Sequence, residues 1–114
     1  MGKYLQIRVS AWTYSEEDVA AAWPALIALA WPRPARPDER RGVLELAAAL
    51  ENELSFGDWP RDVAEALRDD IARIGRLRRV LEEALSDWEP RKANMLSDEL
   101  EDELTKLNDK APRP

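Results

Sequence analysis

Between Asp58 and Trp88, apolar side chains recur at steps of three and four: Val63, Leu67, Ile71, Ile74, Leu77, Leu81, Leu85 and Trp88. At about 100° per residue they fall on one stripe less than half the circumference wide, the pattern of a long amphipathic helix. Asp58 suits the cap and Pro60 the first turn, where a missing N–H costs nothing. No proline interrupts residues 61–89, so the helix should run on the order of 40 Å. Gly75 lies at the stripe's edge and reads as a surface glycine, at a cost of about 1 kcal/mol against alanine, the alternative being a small residue that lets another helix approach closely. A chain built around such a helix has to cover its stripe, either with its own segments or with a partner.

Two charges break the stripe. Asp70 lies beside Val63 and Leu81 on the wheel, and Arg78 beside Leu67 and Leu85. A charge in an apolar seam is expensive unless paired or able to reach water. The two stand roughly 12 Å apart along the axis, too far to pair within one helix. Two copies crossing antiparallel about Ile74 would bring Asp70 of one opposite Arg78 of the other, and Leu67 opposite Leu81, as a self-complementary two-fold interface requires. Asp70, Ile74 and Arg78 are therefore candidate interface residues. The alternative is that both charges reach solvent or pair within the chain. Arg73, Arg76, Arg78 and Arg79 make a basic run, but Asp69 precedes Arg73, and Glu82 follows Arg78, at i,i+4 spacing, the ordinary dressing of a solvated helix face.

The remainder of the chain reads as shorter elements around this one. In residues 1–13, Leu5, Ile7, Val9 and Ala11 alternate with Gln6, Arg8, Ser10 and Trp12, the period of a β-strand with one apolar face. A lone strand needs a partner for its backbone groups, either a cryptic strand of the same chain or the same strand of a second copy. The second is expected here, since no other segment alternates as well. Ser15 with Glu16, Glu17 and Asp18 marks a helix start. The following residues 19–32 carry no charge, and Pro24 must kink or restart that helix. Pro32, Pro34 and Pro37 make a stiff connector, after which residues 38–55 form a helix with Val43, Leu46, Ala47, Leu50 and Leu54 inward. Pro90 stops the central helix. A last helix starts at Asn94 or Ser97, with Leu96, Leu100, Leu104 and Leu107 on a narrow stripe and a strongly acidic remainder.

The expected fold is thus mainly α: a bundle of about four helices with one N-terminal strand, the strand paired across a dimer. Residues 1–107 form a single domain and 108–114 a frayed tail.

Composition narrows the function. The 114 residues contain no cysteine and no histidine. This excludes disulfides, thiolate zinc sites, cysteine nucleophiles and the commonest general base. Adjacent acids such as Asp69/Asp70 and Glu82/Glu83 diverge on a helix rather than converge. No phosphate loop or nucleophile motif is present. No enzyme, cofactor, metal site or small-molecule substrate is expected. The net charge of −6 disfavours nucleic acid and acidic membranes. The uncharged run of residues 19–32 is too short to span a bilayer and lacks the basic flank of a signal peptide, so a cytoplasmic protein is expected.

The favoured function is a non-catalytic helical interaction or regulatory module, a homodimer or a subunit with a protein partner. Five tryptophans in this length suit both cores and interface anchors. Leu5, Ile7 and Val9 on the strand, Trp12 on its other side and Trp31 before the connector join the candidate surface. The alternative is DNA binding. A polar-faced N-terminal strand followed by helices resembles, in outline, the ribbon–helix–helix repressors, and the resemblance implies that Gln6, Arg8 and Ser10 enter the major groove. It covers about thirty residues, and a proline-rich connector stands where that family carries a glycine-containing turn.

Overall fold

The computed structural model describes residues 3–7 and 11–113, the side chains of Gln6 and Ile7 aside. Val9, Arg8 and Ser10 lie outside the described residues. The chain is a mainly helical bundle: β1 (Leu5–Ile7), β2 (Ala11–Thr13), α1 (Glu16–Ala22), α2 (Pro24–Ala30), α3 (Val43–Phe56), α4 (Arg61–Ser86) and α5 (Pro90–Lys110). The long α4 packs along α5 on one side and α3 on the other, α2 bridges α3 and α5, and the two strands lie against α3 and α5.

The N-terminal segment differs from the single strand expected. β1 and β2 pair antiparallel within the chain, with Leu5 opposite Thr13, Gln6 opposite Trp12 and Ile7 opposite Ala11. The partner of β1 is thus the cryptic strand of its own chain, where the alternation pointed to a second copy. Past the end of the ladder, the Tyr14 amide donates to the Tyr4 carbonyl at 3.2 Å. On the far edge of β1, the Glu101 carboxylate of α5 accepts the amides of Leu5 (2.7 Å) and Tyr4 (3.0 and 3.1 Å). One buried side chain thereby satisfies donors that would otherwise demand another strand. Leu5 itself is buried in the core, not offered to a partner.

Local chemistry explains the helix boundaries. Ser15 Oγ accepts the Asp18 amide at 3.3 Å and starts α1. Pro24 restarts the helix: Trp23 ends α1 by donating its amide to Val19 and begins α2 by accepting from Ile27. Gly42 precedes α3, with Glu45 Oε1 accepting its amide at 3.1 Å. Glycine has no hydroxyl for the other half of a capping box, and Thr13 Oγ1 of β2 supplies one, accepting the Val43 amide at 2.8 Å. A Cβ on Gly42 would strike that hydroxyl. Helix α3 therefore begins five residues later than expected.

Helix α4 ends at Ser86, ahead of Pro90, and Pro90 instead opens α5, before the start expected at Asn94 or Ser97, because its fixed φ is already helical and its missing N–H is unneeded at the first position. Residues 108–110, expected to fray, are helical. Asn108 Oδ1 accepts the amides of Ala25 and Leu26 at 3.0 and 3.3 Å, capping α2 from another helix, and Ala111 is buried.

The seam of α4 is covered by its own chain. Ile74 is fully buried in the core with Leu67, Ile71 and Leu81, so it is not a crossing point open to a second copy. Asp70 accepts from Lys110 Nζ at 2.7 Å and Arg73 at 3.3 Å. Arg78 pairs with Glu51 of α3 at 3.4 Å and Glu82 at 3.2 Å. Both charges that break the stripe thus find partners inside the molecule. Gly75 is buried rather than a surface glycine, because the Glu51 carboxylate occupies the space a Cβ would need.

Candidate interaction face

A groove opens in the surface where the end of α2, the proline-rich connector and the α3–α4 turn meet. It is built around the orphan carbonyls that every helix end leaves. Trp59, in the turn before α4, donates its indole N–H to the Leu29 carbonyl in the last turn of α2 at 3.0 Å. That bond holds the two ends together and leaves a groove of about 620 Å³ between them, walled by Leu29, Pro32, Phe56 and Trp59 and edged by Arg33, Glu53 and Asp58. A second hollow of about 340 Å³ continues along the connector and shares Pro32, Arg33 and Glu53 with the first.

The connector is fastened along its length. The Arg41 guanidinium lies 5.1 Å from the centre of the Trp31 ring, a cation–π contact. Its Nη2 donates to the Arg33 carbonyl at 2.7 Å and to Glu39 at 3.2 Å. Glu39 also accepts the Arg36 amide at 3.1 Å. That amide first, and the Arg41 guanidinium with it, hold the Glu39 carboxyl below the usual range despite partial burial. The side chains of Arg33 and Arg36 make no ion pair among the described residues, and both are exposed.

Aromatic exposure marks two places. Phe56, the last residue of α3, is 84% exposed at the mouth of the groove. Trp88, in the turn between α4 and α5, is 72% exposed. Of the surface candidates, Trp12 is 39% exposed and lines a small hollow with Arg40 and Glu45. Trp31 is half-buried under Arg41. The connector runs between these two tryptophans without bringing them into one cavity. Trp23 is enclosed, its indole donating to Thr105 at 3.0 Å and its ring edge-on to Tyr4 at 5.0 Å. Neither Phe56 nor the groove stands out in the sequence pattern, although Phe56 sits 200° from Leu54 on the α3 wheel, a legible sign that it leaves the inner face. Periodicity puts Trp88 on the α4 stripe, but the helix ends two residues before it.

Strand β1 meets β2 on one side, and Glu101 takes the Tyr4 and Leu5 amides on the other. Gln6 sits in the hairpin opposite Trp12. Among the described residues no cluster of three or more acidic side chains could hold a metal ion, and no helix is long and apolar enough to cross a membrane.

What the fold and this face define is a small helical bundle with an open aromatic groove. Comparison with protein-family models, with curated proteins and with solved structures finds no match.

Proposed function

We propose that this chain is a non-catalytic helical interaction module that works by self-association or by holding a protein partner, and that the groove beside the connector is its contact face. The observation that carries this reading is Phe56, a large aromatic 84% exposed at the mouth of a partly apolar groove rather than folded into it. Isolated exposed apolar residues are ordinary, but an aromatic continuous with a walled groove is the arrangement of an interface anchor. The rigid fastening of the connector by Arg41 and Trp59 supports the same reading, because a preformed face loses little entropy on binding.

The experiment is site-specific photo-crosslinking in cells. A photoreactive phenylalanine at position 56 should give discrete protein adducts, whereas the same group at the exposed helix position Glu65 should give few. Equal, diffuse labelling from both positions would remove the reading.

A further inference from the structure

We infer, building on the interaction reading above, that the partner is a second copy of this chain and that its Trp88 enters the groove beside Phe56 and Trp59. Trp88 has a φ of 56°, making it the one non-glycine residue with positive φ among those described. It occupies the position after the helix cap in a Schellman ending. Its amide donates to Leu85 at 3.2 Å, and that of Glu89 donates back to Ala84 at 2.9 Å. This slot favours glycine, since a side chain in the left-handed region carries a steric penalty. A buried indole could repay that penalty, but this one is largely in solvent. Nothing in the single chain is gained by a tryptophan here.

The groove supplies what the indole lacks. Helix α4 separates the two: Asp58 and Trp59 lie just before its first residue and Trp88 just beyond its last, about 39 Å apart along a 26-residue helix. A copy therefore cannot place its own Trp88 in its own groove. The charges complement as well. Asp87 and Glu89 flank the indole, Glu89 also 3.8 Å from Lys92, while Arg33 and Arg36, which make no ion pair among the described residues, edge the groove and its continuation, with Glu39 near enough to Arg36 to feel its charge. Glu53 and Asp58 on the opposite edge are acceptors for the indole N–H, which seeks a partner on burial.

The test is sedimentation velocity over a concentration series with the full chain. Wild type should associate. Trp88→Gly should weaken association by at least about tenfold, while its melt at low concentration stays unchanged or moves up, because glycine suits the slot. Arg33→Glu with Arg36→Glu should also weaken it, and adding Asp87→Arg and Glu89→Arg should restore much of it. The charge exchange decides the matter independently if Trp88→Gly fails to fold. Wild type sedimenting as a monomer throughout, or Trp88→Gly associating as strongly as wild type, overturns the inference. If wild type is monomeric yet position 56 crosslinks to a different protein, the interaction reading stands and this inference alone falls.

Discussion

The carboxylate of Glu51 on α3 fills the space that a Cβ on Gly75 of α4 would claim, and it is held there by Arg78 and Arg79 at 3.4 and 3.2 Å. The glycine is what allows an ion-pair cluster to sit between two helices at close approach. Alanine at position 75 would gain about 1 kcal/mol of helix propensity but has to push the carboxylate off its arginines. In urea titrations, Gly75→Ala should therefore stabilise the wild-type chain by clearly less than it stabilises Glu51→Ala, where the space is already clear. Equal gains in both backgrounds would show that the two residues are uncoupled.

Acid and base should act in opposite directions on two carboxylates. Burial raises the Glu101 pKa from its ordinary 4.5, outweighing the amides of Tyr4 and Leu5 that favour its charge. Its stabilising contribution is complete below 4.5 and declines as pH climbs through the raised value. Asp70 is held below its ordinary 3.8, first by the Lys110 ammonium and then by Arg73. Its contribution is present above 3.8 and lost as pH falls through the lowered value. Stability differences against Glu101→Gln and Asp70→Asn, followed from about pH 2 to 8, should slope in opposite directions, wild type losing ground to the first variant on raising pH and to the second on lowering it.

Asn108 should matter far more than its place near the chain's end suggests. Its side-chain oxygen serves the first-turn amides of α2, so Asn108→Ala should cost about 1 kcal/mol, the usual scale for a lost helix cap. Asp109→Ala, on an exposed neighbour, should be close to neutral by the same thermal or urea measurement.

Helical periodicity is the part of this fold that can be read in the residues. The α4 stripe, the restart at Pro24 and the inner face of α3 all follow from local spacing, and they survive because each is a property of a few turns. The misreadings arise where a distant residue does a local job. Thr13 begins α3, Asn108 caps α2, and Glu101 closes the edge of β1. Each is an ordinary polar residue whose partner lies 30 to 97 positions away. Asp70 and Arg78 look like charges awaiting a second copy because spacing along one helix cannot show Lys110 or Glu51 arriving from neighbouring helices. Of the groove, the residue types are visible, but the bond from Trp59 to Leu29 that shapes it is not.

The grip of Glu101 on Tyr4 and Leu5 also bears on how the molecule is made. A ribosome adding about 5–20 residues per second needs roughly 5–20 s to go from those amides to their acceptor. Through that interval a hairpin that formed early would hold an uncovered strand edge while α1 to α4 are already emerging. Chaperones that hold nascent chains, or slow translation upstream of residue 101, would thus bear on the yield of this protein more than on its final stability.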